Sequence, residues 1–321
     1  MPQRISILIG LSLLLFCGCN GWDDDSEFES RTRAAYFLCE QAATGLNSVH
    51  KHADGGLEMG WNQRFGIADG DVGDLYSSAS AIWLSDAENG RVLEIDPAED
   101  RILQDISLPH RADHFAVGER EIMVVDTAAN QHSFYKRRNG DVLTLSLGDG
   151  NGPVLYNNAR FYFQSDASTM QVIDEYAYTS RAEAALTYPI SAFEFNRFKN
   201  IVVQTADTAL RYFIILSGVE DRLIGAEAIV AYQKIRHTPY LEARFGREWI
   251  EDVRLEGTQL LSGAWTLPDS AANFEVDFFE SMVYYQWGDS LFQYDLNANS
   301  VTDKQFFNWE LRSSAYWLGR E

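Results

Sequence analysis

The chain is expected to adopt an all-β fold, and three observations carry that expectation. Hydrophobic residues make up 46% of the 321 positions and aromatic residues 13%, yet no long helical period stands out. Short apolar runs recur every eight to twelve residues between turn-forming clusters, the pattern of strands. The runs also repeat as a group. Anchors for the first strand of successive units fall at Tyr36, Ile82, Ile122, Phe161, Ile201, Val253 and Val283. Their spacings are 46, 40, 39, 40, 52 and 30 residues, and the last two together span 82, close to two units. Repetition near 40 residues, enough for a four-stranded sheet, is the pattern of a β-propeller. Seven anchors give seven blades, with six or eight as the neighbouring counts. A pair of β-sandwich domains is the other architecture such strands could build.

The first element is not part of that fold. Arg4 is the only charge in residues 1–22, and Ile5 to Phe16 form an apolar run broken only by Gly10 and Ser12. That run is too short to span a bilayer, but it has the layout of a secretory signal. It ends in Cys17-Gly18-Cys19, and a cysteine directly after a small residue resembles a bacterial lipoprotein signal. The resemblance implies cleavage after residue 18 and a lipid on Cys19. Asn20, rather than Asp, follows that cysteine, which in such proteins goes with the outer membrane, facing the periplasm. Residues 19–33 are rich in Asp, Glu and Ser and read as an acidic tether. Residues 34–321 are left for the propeller.

Within the body, Ala81-Ile82-Trp83-Leu84 is a strand, Asp86 to Gly90 a turn, and Arg91 to Ile95 the next strand. Asp96-Pro97 closes it, and Arg101 to Leu108 follow. Asn89-Gly90 is a dipeptide favoured in tight hairpins, where both residues take positive φ. Residues 81–108 resemble one blade of the broad propeller superfamily that includes the YVTN and NHL repeats. Residues 283–306, with Tyr294-Asp295-Leu296-Asn297, are similar to it. The resemblance implies a fold and no activity. Ala81 to Asp86 also rhymes with Ala315 to Arg320, and the last strand, Tyr316 to Leu318, is expected to close the ring against N-terminal strands.

Charge narrows the partners. The formal net charge is −21, and removing residues 1–18 leaves 25 basic against 47 acidic residues, or −22. Nucleic acid needs a basic face and is excluded on this ground. Peripheral binding to anionic lipid is disfavoured on the same ground, while a protein partner with a basic patch fits. The dense basic cluster Lys136-Arg137-Arg138 precedes Asn139-Gly140 and is read as decorating a hairpin turn. With Cys17 removed and Cys19 lipidated, Cys39 has no disulfide partner and is read as a small buried hydrophobe.

Candidate chemistry is sparse. His110, Arg111, Asp113 and His114 form one cluster. Pro109 before it and the strand Phe115-Ala116-Val117 after it argue against a zinc-binding helix, so the segment is expected to enter an inner strand beside the central channel. Asp69, Asp71 and Asp74, spaced by glycines, could wrap Ca²⁺, although Ser80 stands where an EF-hand loop needs glutamate. Gly148 to Gly152 is a second Gly/Asp loop. His50 and His52 share one side of a strand read as exposed, and Trp61 and Trp287 lie beside turns from which they could reach a ligand. No nucleophile-elbow, zinc-protease, phosphate-loop or dinucleotide motif is present. The expected function is therefore a lipid-anchored, protein-binding scaffold. The alternative is a metal-dependent hydrolase of the lactonase kind with His114 at the channel.

Overall fold

The computed structural model describes residues 31–319 except 225–273 and the short stretches 54–55, 79, 149–151, 158, 179, 186–188, 196–200, 206–209, 215–218, 278–281, 296–297 and 299. The strands run in chain order. β1 (Arg31–Gln41), β2 (Leu46–Ala53) and β3 (Gly56–Glu58) are followed by a 3-10 turn at Trp61–Phe65. Next come β4 (Val72–Ser77), β5 (Ile82–Asp86), β6 (Arg91–Asp96) and β7 (Arg101–Ser107). The third group is β8 (His114–Val117), β9 (Glu121–Asp126), β10 (Gln131–Lys136) and β11 (Val142–Leu145). The fourth is β12 (Val154–Asn157), β13 (Arg160–Asp166), β14 (Thr169–Asp174) and β15 (Ser180–Ala185). The fifth is β16 (Ile190–Phe195), β17 (Ile201–Thr205), β18 (Leu210–Ile214) and β19 (Val219–Ile224). The sixth is β20 (Phe274–Asp277), β21 (Met282–Trp287), β22 (Ser290–Asp295) and β23 (Ser300–Phe306), and β24 (Glu310–Gly319) ends the series.

Among the described residues these strands make six four-stranded sheets. Five are simple meanders; the sixth takes the order β24-β1-β2-β3. The C-terminal strand thus completes the sheet begun by the N-terminal ones, as expected. Arg312, early in β24, pairs at 2.6 Å with Glu40, late in β1, so the two strands run in opposite directions. The fold is all-β and a β-propeller. The seventh anchor, Val253, lies outside the described residues.

The six other anchors sit at one position of every sheet, but that position is the second strand, not the first. Tyr36, Ile82, Ile122, Phe161, Ile201 and Val283 lie in β1, β5, β9, β13, β17 and β21. The reason is burial. A second strand has neighbours on both edges and a sheet packed on each face. β5 and β9 are buried along their whole length, so they read as continuous apolar runs. Outer strands such as β7 and β23 are mostly exposed. The Ala81/Ala315 rhyme is not an equivalence either, because β5 is a second strand and β24 takes the first position of its sheet.

Successive side chains of the second strands feed different seams. Tyr36 and Leu38 pack with Ile82 and Leu84, whereas Ala35, Phe37 and Cys39 pack with Tyr284 and Leu291. Trp83 turns the other way, toward Phe115 and Ile122, and Met123 and Val125 pack with Phe161 and Phe163. Each seam is thus an apolar layer between consecutive sheets. Cys39 is fully buried, as expected, and burial pushes its thiol up. Trp61 is also fully buried, which corrects its reading as a ligand contact: its indole N–H donates to Asp100 at 3.0 Å. Trp287 remains half exposed.

The meander fixes two ends. Turns from second to third strand, and connections from the fourth strand to the next sheet, share one end, here the connection end. Turns from first to second and from third to fourth strand lie at the far end. The Asn89-Gly90 turn is at the connection end. It differs from a two-residue hairpin: four residues join β5 to β6, Gly90 alone of the pair has positive φ (59°), and Asp86 caps the Asn89 N–H at 3.1 Å.

Candidate functional site

Three kinds of connection-end segment converge. The β7–β8 connection carries Leu108 to Asp113, the segment before β4 carries Asp69 and Asp71, and the second-to-third strand turns carry Glu88 and Thr127. Asp residues closing the second strands hold those turns. Asp86 accepts from Asn89, Asp126 accepts the Ala129 N–H at 2.9 Å, and Asp166 accepts the Ser168 N–H at 2.8 Å. Much of the chain's acidity at this end is therefore turn chemistry.

Arg111 is the hub. Its guanidinium donates to Asp113 Oδ1 at 2.9 and 3.1 Å and to Glu88, and its backbone N–H donates to Asp126 at 3.2 Å. Hydrogen bonds to Asp113 and Glu88 raise the Arg111 pKa further. The second oxygen of Asp113 accepts from the Thr127 hydroxyl at 2.7 Å and from its N–H at 2.8 Å. Burial pushes the Asp113 carboxyl up, but the bonds from Arg111 and Thr127 outweigh it and hold it below the usual range.

His114, first residue of β8, lies 3.3 Å from Asp74 of β4. Burial pulls its pKa down. The hydrogen bond and charge of Asp74, with the charge of Asp113, reverse that and raise it. The Asp74 N–H in turn donates to Ser85 at 2.8 Å. Gly73 makes this approach feasible: a Cβ there would clash with the Ala112 and Asp113 carbonyls and the Ser85 hydroxyl. The glycine spacing of Asp69 to Asp74 thus answers to close backbone packing. His110 bonds through Nδ1 to the Arg111 carbonyl at 2.7 Å, and its Nε2 is buried without a partner.

The structure therefore joins Asp74 to the His114 cluster rather than to Asp69 and Asp71. Asp69 accepts from Ser48 at 2.7 Å, Asn62 at 3.2 Å and Gln63 at 2.9 Å. Asp71 has its pKa raised by burial and by the charges of Asp86 and Glu88, with Arg111 opposing. Among the described residues no three His, Cys, Asp or Glu side chains converge as metal ligands. Asp149 and Asn151 of the second Gly/Asp loop, and Cys19, lie outside the described residues. A cleft of about 550 Å³ lies beside that loop, between Ser146, Leu147, Gly148 and the Ser165, Asp166, Gln171, Ile173, Tyr178 and Glu183 side.

His50 and His52 are buried, not exposed. His50 sits edge-on to Trp309, its Nδ1 accepts the Gly60 N–H at 2.9 Å, and burial brings its pKa down to about 4. His52 lies 3.6 Å from Asp303. Sequence reasoning missed Glu88, Asp126 and Thr127. The signal available was the Asp that recurs four or five residues after an anchor, at Asp86, Asp126 and Asp166.

No protein-family model and no curated protein matches the chain. Among solved structures it is similar to Kluyveromyces lactis Hsv2, at 10% identity over 84% of this chain and 94% of that one, with a TM-score of 0.48. It is also similar to Kuenenia stuttgartiensis hydrazine synthase, at 12% identity over 71% and 77% of the two chains, with a TM-score of 0.49. Both scores are below 0.5, so the propeller assignment stands on the sheet order and the seams alone.

Proposed function

We propose that this chain is a lipid-anchored, non-enzymatic binding scaffold of the bacterial envelope, built on a propeller of seven blades. On this reading it works through the connection end around Leu108 to His114, at the outer membrane and facing the periplasm. One observation supports it most. The ionisable groups of that end close on one another across two consecutive sheets, the second and third, from Asp74 to His114 and from Glu88 through Arg111 and Asp113 to Thr127. Groups used in this way fix a rigid charged face, which suits a protein partner with a complementary basic patch. The signal layout and Cys19 support the anchor, and the Val253 spacing supports the blade count.

Crosslinking in intact envelopes, followed by peptide mapping, tests the face. Crosslinks should fall on connection-end turns and be lost on changing His110, Arg111, Asp113 and His114 together to Ala. Crosslinks confined to outer strands would overturn the reading. Cys19→Ala should abolish membrane retention. The His114–Asp74 pair favours one second reading, metal-dependent hydrolysis. One tightly held divalent ion per chain by elemental analysis, lost in His114→Ala, would establish it.

A further inference from the structure

β9 is buried along its whole length, and its first residue is a glutamate. Strand alternation puts Glu121 on the face that carries Met123 and Val125, toward the fourth sheet. At 6% exposure its carboxyl has given up most of its water. It meets a second one there. Glu175, in the β14–β15 turn of the fourth sheet, is fully buried and accepts the backbone N–H groups of Arg120 and of Glu121 itself, at 2.8 and 2.9 Å. Two buried carboxyls therefore share the far end of the seam between the third and fourth sheets.

The two are not served alike. Glu175 has those two N–H donors and the Tyr156 hydroxyl at 2.7 Å. Glu121 has the Tyr178 hydroxyl on Oε1, while its Oε2 is buried with no hydrogen-bond partner. The cations of the region do not make up the difference. Lys136, opposite Glu121 in the β9–β10 register, lies over the Tyr178 ring at 5.7 Å. Arg120 lies over the Tyr176 ring at 4.8 Å, and Arg137 reaches Glu94 at 3.9 Å and the Gly118 carbonyl at 3.3 Å. Arg160 stands opposite Asp174 in the β13–β14 register. Glu119 and Asp141, both exposed, add charge of the pair's own sign. Neighbouring buried carboxyls resist ionising together, and the one with fewer donors keeps the proton. Burial first, and then the charge of Glu175, push the Glu121 carboxyl up against the Tyr178 bond and the Lys136 charge.

We infer that Glu121 and Glu175 hold one proton between them, that it resides on Glu121, and that its loss loosens the far end of this seam. Stability from the neutral carboxyl is complete below about 4.5 and is lost as pH rises through the raised folded value. His132, against Phe163 in the same seam, responds the other way, losing its contribution as pH falls toward about 4. One seam is thus weakened from both sides of the pH scale. Tyr178, bonded to Glu121, is also a wall of the cleft beside Gly148, so the seam that loosens is the one that forms the cleft.

Carbon-detected NMR of the glutamate carboxyls, with Glu121 assigned from a Glu121→Gln chain, tests where the proton sits. The Glu121 midpoint should lie above the ordinary 4.5, fall in Glu175→Gln, and rise further in Lys136→Met and in Tyr178→Phe. A midpoint at or below 4.5 in the unaltered chain would show Glu121 ionised and would overturn the inference. So would a midpoint that ignores Glu175→Gln. Urea midpoints of the unaltered and Glu121→Gln chains, compared from about pH 4.5 to 8, give a reading that does not depend on Glu175→Gln folding. The Gln chain should gain on the unaltered one as pH rises. A difference that stays constant across the range would show a seam indifferent to the proton, which also overturns the inference.

Discussion

His132 and His114 belong to the same sheet and live in opposite surroundings. His132, in β10, is fully buried in the seam toward the fourth sheet, 5.2 Å from Phe163, and neither ring nitrogen has a hydrogen-bond partner. Burial brings its pKa down to about 4. His114, in the seam toward the second sheet, is partly exposed, faces Asp74 and has its pKa raised. The difference teaches how the propeller divides its work. Where the rings of the next sheet cover it, imidazole is pushed toward its neutral form; where a carboxylate faces it, the same side chain is pulled toward its protonated form.

That contrast sets opposite pH responses. A folded-state pKa below the unfolded value means stability that is present above about 6.5 and lost as pH falls toward 4. His132 and His50 both belong to this class, and each contributes a loss of roughly 3 kcal/mol across that window. His132→Leu should flatten the acid limb of a urea-stability profile by about that amount, since the ring has no polar partner to abandon. An unchanged limb would show that the seam admits water. His114 works the other way: its contribution is complete below about 6.5 and is lost as pH rises through its raised folded value.

The far end of the His132 seam gives the next effect. Glu175 is fully buried, accepts the Arg120 and Glu121 N–H groups at 2.8 and 2.9 Å, and takes the Tyr156 hydroxyl at 2.7 Å. Glu175→Ala strands two backbone donors and should cost about 2–3 kcal/mol in chemical denaturation. Gly118→Ala should be damaging for the same reason, because a Cβ there would collide with the Glu175 carboxylate. A loss below about 0.5 kcal/mol in both would mean that this end of the seam is not load-carrying.

Effects at the connection end should be smaller and salt-sensitive. Arg111→Ala removes partly exposed pairs with Glu88 and Asp113 and should cost about 1 kcal/mol at low ionic strength, less in high salt. Asp74→Asn should change stability least. Its readout is the His114 titration by NMR, which should move to lower pH once the charge is gone. A His114 titration that does not move would remove Asp74 as its partner and weaken the contrast with His132.

What the sequence discloses follows the same division. Anchors such as Ile122 and Phe161 are legible because second strands are apolar on both faces, and that run survives any sequence noise. They sit one strand later than expected because several first strands are short, as in His114–Val117, Val154–Asn157 and Phe274–Asp277, and leave little pattern. The cluster at His110 to His114 is legible as polar residues between a proline and a strand. Its partners Glu88 and Thr127 are not, because they come from other sheets and meet it only in three dimensions. His50 reads as a surface residue in sequence; only its aromatic neighbour Trp309, from another strand, shows otherwise.

The account rests on ring closure by β24 against β1, and one comparison tests it directly. Thermal unfolding and hydrogen exchange are measured for the chain and for a version ending at Ser314, which lacks the second half of β24. Closure predicts a melting temperature lower by roughly 10 °C or more, with protection lost together in β1 and β21, the second strands of the two sheets that share the Phe37–Tyr284 seam. An unchanged melting temperature, or a loss of protection confined to β24 itself, would contradict a closed ring.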